Sequence, residues 1–291
     1  PDSYVETGEG LVLIANGIDP MLAFNGYGDT ADFAGLVRPD SQVVGAPSGS
    51  GTLTGTYYAY VSYVRRDGFE SSLSDVSAAF TLTNAEEVAY SSVPVSPDIR
   101  VVKRRIYRTT AQQQRTVYLD VEIDNNSATT AASDLTDSIL AVQIAYPLLT
   151  DKNESTTLDH EPPPDDKPFL AWHNQRGYGA GFQEYAEGSI EVTLGSNTVQ
   201  GRGTEWKETF ATRLLYIDGG DATYEIDSVD EDNQTITLLD PYLGVTNLFA
   251  AYAIRPFPAA CNTVAYTLPD DAESWPPENA FTIPEDGDII T

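Results

Sequence analysis

Cysteine is nearly absent: the chain of 291 residues has one, Cys261. A single thiol makes no internal disulfide, which excludes a disulfide-stapled scaffold. Only two histidines accompany it, His160 and His173, so no His/Cys zinc constellation can be assembled. Positive charge is scarce as well. Sixteen Lys and Arg stand against 44 Asp and Glu, a formal net charge of −28. That argues against a protein built to wrap duplex DNA, because neutralising phosphates needs a basic face, and it argues equally against docking on anionic lipid. No run of about 18 apolar residues occurs, so no transmembrane helix is expected. Pro1-Asp2-Ser3-Tyr4 has neither a basic n-region nor an apolar h-region, and no signal peptide is expected.

What the chain does have is 22 Gly, 18 Pro and 17 Tyr, with abundant Thr. Thr and Tyr favour pleated, half-buried surfaces, and Gly and Pro punctuate turns. The expectation is an all-β fold. Carboxylate excess with few lysines suits a protein hydrated in concentrated salt, where screening removes self-repulsion; it equally suits an acidic assembly protein.

Along the chain the expected organisation is discontinuous. Residues 1–46 carry short strands: Leu11–Ala15, a turn at Asn16–Pro20, then Met21–Phe24 closed by Asn25-Gly26, a strong hairpin signal. Pro47–Gly51 reads as a flexible hinge opening a module over 47–147. There a long strand, Thr56–Val64, turns at Arg66-Asp67-Gly68. Strands at Ala78–Thr83, Val88–Val93, Val101–Arg108, Val117–Ile123 and near Ala141–Ile144 follow, with a helical turn in Ser133–Ala141. Spacing of about ten residues describes a small antiparallel sandwich, fibronectin-III-like. Residues 148–168 form an acidic linker, including Asp151–Glu154 and stiffened by Pro162–Pro164. Residues 169–186 return to the first style, with Phe169–His173 and Gly177–Gly181 as strands.

Residues 187–256 make a small barrel or sandwich from strands at Ser189–Leu194, Asn197–Gln200, Leu214–Ile217, Ala222–Val229, Gln234–Leu239 and Tyr252–Arg255. In 257–291 strands are expected at Thr263–Thr267, Ala280–Ile283 and Ile289–Thr291, around a loop at Pro269–Pro277 and a turn at Pro284–Asp288. The chain stops on an apolar strand without a cap, so it is expected to be cut relative to its natural architecture. Loop tips tolerate whole-domain insertions, so residues 1–46, 169–186 and 257–291 are read as one platform interrupted by two β-modules.

Several segments carry a resemblance. Gly195–Trp206, Tyr224–Val229, Ile236–Leu238 and Asp240–Gly244 contain a Gly-x-Gly-Thr-x-Trp corner, a Tyr-x-Ile-x-Ser-Val strand and a Pro-Tyr-x-Gly loop. This module resembles one recurrent in tailed-phage structural proteins. Leu13–Gly17, Glu273–Asn279 and Glu285–Thr291 look like β-propeller blade segments of phage tail hub and nozzle proteins. The resemblance implies a partial propeller-like platform, since a closed propeller needs at least about four blades and this chain has sequence for two.

The chemistry-bearing residues are few. His160 sits in the acidic linker and His173 in a strand, and neither lies near a convincing nucleophile or a Gly-x-Ser-x-Gly elbow; no catalytic residue is assigned. Gly177–Gly181 lacks a Walker lysine and a following helix, so it reads as a strand with close backbone approach rather than a phosphate loop. Asp227, Asp230, Glu231, Asp232 and Asn233 offer oxygens to Ca²⁺ but lack the EF-hand glycine, and a solvated hairpin tip is favoured. One cluster stands out: Arg100, Lys103, Arg104, Arg105, Arg108 and Arg115 place six of the sixteen cations within one strand and its flanks. Alternation sends Lys103 and Arg105 to one face and Arg104 and Arg108 to the other. The strip is a candidate subunit interface against an acidic neighbour; the competing reading is neutralisation by acids on adjacent strands.

The function expected is that of a non-enzymatic structural protein in the tail of a tailed virus, at the hub, nozzle or an adjoining position. It would form homo-oligomeric rings and contact other tail proteins, near genomic DNA in a channel, with no membrane partner and no cofactor. The alternatives are a receptor-binding or fibre-anchoring adhesion protein on the tail or capsid exterior, and a glycan-degrading tailspike.

Overall fold

The computed structural model describes residues 2–8, 10–26, 30–112, 115–147, 160–164, 166–217, 223–256 and 263–282. Cys261, the acidic run Asp151–Glu154, the Pro284–Asp288 turn and the terminal strand Ile289–Thr291 lie outside these residues. The fold is all-β. Among the described residues the helical content is one four-residue helix and one 3-10 turn. The chain divides into a discontinuous unit, Pro1–Ala34 with Pro163–Thr291, and a continuous unit, Gly35–Pro162.

The discontinuous unit begins with four short strands, β1 (Ser3–Glu6), β2 (Val12–Ala15), β3 (Leu22–Phe24) and β4 (Asp32–Phe33), hydrogen-bonded in chain order as an antiparallel meander. The β2–β3 turn is an Asx turn. Asn16 Oδ1 accepts from the amides of Ile18 (2.9 Å) and Asp19 (2.8 Å), which is why Asn serves at this corner.

The continuous unit holds β5 (Val44–Tyr57), β6 (Ala59–Arg65), β7 (Phe80–Ser91), β8 (Val101–Thr109), β9 (Thr116–Ile123), β10 (Ala131–Ser133), α1 (Asp137–Leu140) and β11 (Ala145–Pro147). They form two antiparallel sheets, β10-β7-β5 and β11-β9-β8-β6. A shared core of Tyr57, Val61, Phe80, Leu82, Val88, Tyr90 and Ile106 fills the space between them. The expected strand Thr56–Val64 is divided at Tyr58, because its first part pairs with β7 and its second with β8. The two strands expected over 78–93 are one, β7, kinked where Ala85 takes a positive φ of 56°. Pro47–Gly51 is not a hinge: it lies inside β5, and the register jump from Ser48↔Glu87 to Leu53↔Glu86 marks a bulge. The bulge is pinned, since Asp134 Oδ1 accepts from Thr52 N at 2.7 Å and Thr52 Oγ1 at 2.8 Å. α1 is the expected helical turn, capped by Thr136, whose Oγ1 accepts from Ile139 N.

The outer edge of β6 is closed by an irregular segment with a serine every third residue. Ser71, Ser74 and Ser77 each donate a backbone N–H to the carbonyls of Tyr63, Val61 and Ala59 at 2.8–2.9 Å. Their hydroxyls accept the amides of those same residues at 2.9–3.0 Å. Each serine thus satisfies a donor and an acceptor that a neighbouring strand would otherwise take, which blunts the edge. Ser74→Ala is expected to cost about 1–3 kcal/mol, because it leaves the buried Val61 N–H without an acceptor; a loss of unfolding free energy in urea titration of less than about half that would show that the amide finds another partner.

The discontinuous unit resumes with β12 (Phe169–His173) and β13 (Arg176–Ala180). A curled seven-stranded sheet follows: β14 (Ser189–Val192), β15 (Thr198–Arg202), a 3-10 turn at Glu208–Phe210, β16 (Leu214–Ile217), β17 (Thr223–Asp230), β18 (Thr235–Leu238), β19 (Asn247–Ala250) and β20 (Tyr252–Arg255). β21 (Thr263–Tyr266) and β22 (Ala280–Thr282) complete the chain's described strands. The sheet order β12-β13-β21-β22 is again an antiparallel meander, interrupted in sequence by the curled sheet. Both meanders contribute to one core, with Leu13, Ala15, Met21 and Ala34 against Ala272 and Trp275, and Leu170, Trp172 and Ala265 at its margin.

The curled sheet runs β19-β14-β15-β18-β17-β16-β20. Its two end strands are consecutive in the chain, separated by Ala251 alone, so one bent strand spans the sheet's two ends. Strands β14, β16 and β18 alternate half-buried and buried residues with period two, and the buried set encloses Trp206 and Phe210. The strand at Asn247–Ala250 was not expected from sequence.

Candidate functional site

The basic strip is carried by β8, which lies between β6 and β9 and meets acids of β9, Asp120 and Glu122, and of the segment after β6, Glu70. Its alternation is the expected one. Arg104 and Arg108 point into the sandwich and are 0% exposed; Lys103 and Arg105 point out. The subunit-interface reading is therefore corrected for Arg104 and Arg108, because side chains inside the core reach no neighbouring molecule.

Arg104 has backbone and amide oxygens around it: the carbonyls of Pro94 (2.8 Å), Ala128 (2.6 Å) and Asn125 (3.0 Å), and Asn125 Oδ1 (3.3 Å). It ties the loop before β8 to the loop after β9. Burial pulls its pKa down, with Tyr63 opposing, yet a guanidinium stays charged at any physiological pH. The Tyr63 hydroxyl is pushed up to about 12 by burial, with Asp40 adding to the shift.

Arg108 donates to Asp120 (3.1 Å), Asp137 (3.3 Å) and the Leu135 carbonyl (2.8 Å), and stacks over Tyr57 at 4.8 Å. Asp120 also accepts from Tyr90 Oη and Ser133 Oγ, both at 2.6 Å. Burial opposes the charge of Arg108, but Asp120, Tyr90 and Asp137 together outweigh it and hold the guanidinium above its ordinary range. Burial and the Asp120 charge together push the Tyr90 hydroxyl well up.

On the outer face Arg105 bridges Glu70 (2.5 Å) and Glu122 (2.9 Å), and Lys103 meets Glu122 (2.6 Å) and Asp124 (2.9 Å). Glu122 is held below the usual carboxylate range by its hydrogen bonds from Lys103 and Arg105. Glu70, itself buried, further accepts from Ser62 Oγ (2.5 Å) and Tyr107 Oη (2.6 Å). Arg100 forks onto Asp98 through Nε (3.0 Å) and Nη2 (2.6 Å). Arg115 is exposed just before β9. Arg100, Lys103, Arg105 and Arg108 are paired with acids of their own unit and Arg104 with neutral oxygens, and the chemistry of these residues is cohesion: they lock β8, β9 and their loops by charge-assisted bonds. The acceptors Glu70 and Asp120 were missed from sequence, since among 44 acids no spacing marks them.

The other candidates fall apart in space. His160 Nδ1 donates to the Glu70 carbonyl at 2.5 Å, and its ring packs on Phe69; His173 stands exposed opposite Arg176 on β12. Gly177 and Gly179 make the close approach expected of them. A Cβ at Gly177 would stand 3.0 Å from Thr267 and 3.4 Å from the Trp275 ring, and one at Gly179 3.0 Å from Lys167 and 3.3 Å from the same ring. At the β17–β18 turn, Asp230 is engaged by Asn233 N and Nδ2, and Glu231 accepts from the Glu208 amide. A cleft of about 490 Å³ in the discontinuous unit, between the β2–β3 turn and residues 183–187, is rimmed by Asp19, Glu184, Glu187 and Glu205. Glu184 is paired with Arg255, and the Tyr185 hydroxyl accepts from Glu205 N. Sequence reasoning did not find this cleft, whose walls come from three distant segments. No family model matches the chain, and comparison with curated proteins gives no significant match.

Proposed function

We propose that this chain is a structural subunit of a tailed virus particle, a ring-forming tail component at the hub, nozzle or an adjoining position. The observation that carries the reading is the pair of four-stranded antiparallel meanders, β1–β4 and β12-β13-β21-β22, which share one core. Successive four-stranded sheets packed face to face are the building plan of a propeller, whose ring needs at least about four. In this reading the two meanders are neighbouring blades. The sandwich and the curled sheet are insertions, one between β4 and β12 and one between β13 and β21. The sandwich, with three strands facing four, is the strand count of a fibronectin-III-like module.

A mechanical role also accounts for where the cations are used. Arg100, Lys103, Arg104, Arg105 and Arg108 are bonded inside their own unit, and a net charge of −28 repels DNA phosphates. The test is the copy number of this chain in purified virions, by quantitative mass spectrometry against the portal subunit. A count of about five, six or twelve is the expected result for a closed ring. Many tens of copies would move it to the capsid exterior, and absence from the particle would overturn the reading.

A further inference from the structure

The edge strand β19 and the loop before it carry apolar side chains that face outward. Leu243, Val245, Leu248 and Phe249 are all exposed, Val245 at 83% and Phe249 at 69%, and Leu194 is exposed beside them. They form one surface, because the two segments that bear them are stitched together. Leu194 N donates to Thr246 Oγ1 at 3.0 Å, Gly195 N to the Tyr242 carbonyl at 2.7 Å, and Val192 stands opposite Asn247 in the ladder. Single exposed apolar residues are ordinary, but a contiguous patch marks a contact surface.

Charge identifies the occupant. The chain carries −28, so two copies repel each other over most of their surfaces. This surface is relieved of that repulsion: residues 241–254 contain no Asp, Glu, Lys or Arg, and neither do residues 192–201. The charged pair at its border, Arg202 with Glu191 at 2.5 Å, sums to zero, and the Arg202 guanidinium lies over the Phe249 ring. A basic partner would gain nothing from this patch over the acidic remainder of the molecule, whereas an equally acidic partner meets no charge repulsion here. β19 is also the end strand of its sheet, paired with β14 on one side. Among the described residues no second strand pairs with it, in contrast to the serine-sealed edge of β6.

We propose that this surface is where a second copy of the chain docks, edge strand to edge strand, with Phe249 and Val245 at the centre of the contact. The proposal rests on reading the chain as an assembling subunit; because the same surface serves both copies, the contact is isologous and joins subunits in pairs, separate from the head-to-tail contact that closes a ring. An apolar contact between like-charged molecules tightens as salt rises, since screening shortens the Debye length to about 3 Å at 1 M. An interface of ion pairs would weaken instead.

The experiment is sedimentation equilibrium of the full chain over a concentration series up to roughly 100 μM, well above a micromolar dissociation constant, at low salt and at about 1 M salt. The wild type is compared with a Val245→Asp, Phe249→Glu double variant and with Val142→Glu, a similarly exposed apolar site in the other unit. All substitutions are at exposed positions, and circular dichroism checks that each variant keeps its fold. The expected result is self-association that strengthens with salt, weakened at least about tenfold in the double variant and unchanged in Val142→Glu. A wild type that stays monomeric in both salts overturns the proposal, as does a double variant that associates like the wild type. Association through another face would sink this surface and leave the virion reading intact; the virion count tests that reading separately.

Discussion

Asp120→Ala is expected to destabilise the sandwich by about 3–5 kcal/mol, the cost of removing one partner from a buried ion pair. The side chains of Arg108 and Asp120 are both 0% exposed, so no water replaces the lost carboxylate. Tyr90 and Ser133 lose their acceptor in the same step, and Asp137, partly exposed, is left as the only acid on the guanidinium. The loss is local in a way that can be read directly. All three tryptophans, Trp172, Trp206 and Trp275, belong to the discontinuous unit. Hydrogen exchange should therefore accelerate across Val101–Ile123 while tryptophan emission stays as in the wild type. Unaltered exchange in those peptides would mean that the pair is dispensable. An Arg108→Met, Asp120→Leu double substitution is expected to recover much of the stability, because replacing a buried pair by apolar groups of similar volume is often neutral or stabilising.

The second large effect is expected at Trp206. It is 1% exposed at the centre of the curled sheet's core, its Nε1 donates to Tyr252 Oη at 2.9 Å, and its ring meets Tyr252 edge-on at 5.8 Å. Trp206→Ala removes the largest buried side chain and should cost about 3–5 kcal/mol. Trp206→Phe should cost about 1–2 kcal/mol, since it forfeits chiefly the indole hydrogen bond and some volume. The Tyr252 hydroxyl keeps its own donation to the Glu187 carbonyl. Urea midpoints for residues 189–255, followed by exchange, separate the two. Equal midpoints for the alanine and phenylalanine variants would mean that cavity volume is not what the site feels.

Much of this architecture is legible in the residues, and the parts that are not share a cause. β12, β16 and β20 lie where alternation and turn residues put them, and β8 and β9 within a residue of it, because their pattern is dictated by a core on one side. The same alternation sorted the basic strip into inner and outer faces. The failures are at places decided by backbone pairing rather than side-chain pattern. Pro47–Gly51 has the composition of a hinge, yet β7 provides a ladder long enough to carry a bulge. Thr83–Glu87 has no fully buried side chain, so β7 reads as two strands although its backbone is continuous. β19 has no buried face over Asn247–Phe249, and without burial there is no period to detect. The site was half legible: the cations announce themselves by scarcity in an acidic chain, while their acceptors are hidden among dozens of similar carboxylates.

The interleaving of the meanders with the inserted modules sets an order of events during synthesis. The sandwich is complete within residues 35–162, before β12 is made, and the curled sheet within 189–255, before β21 is made. The pairing of β13 with β21 joins Gly179 to Ala265, and β12 finds β1 across the entire sandwich. Such distant pairings close slowly, after local ones have formed, and a growing chain folds its early modules first. The platform that begins the sequence is therefore the last part to acquire its structure. A chain whose first residues, up to about 260, have cleared the ribosome would hold two finished modules on an open meander, its apolar core still waiting for Trp275.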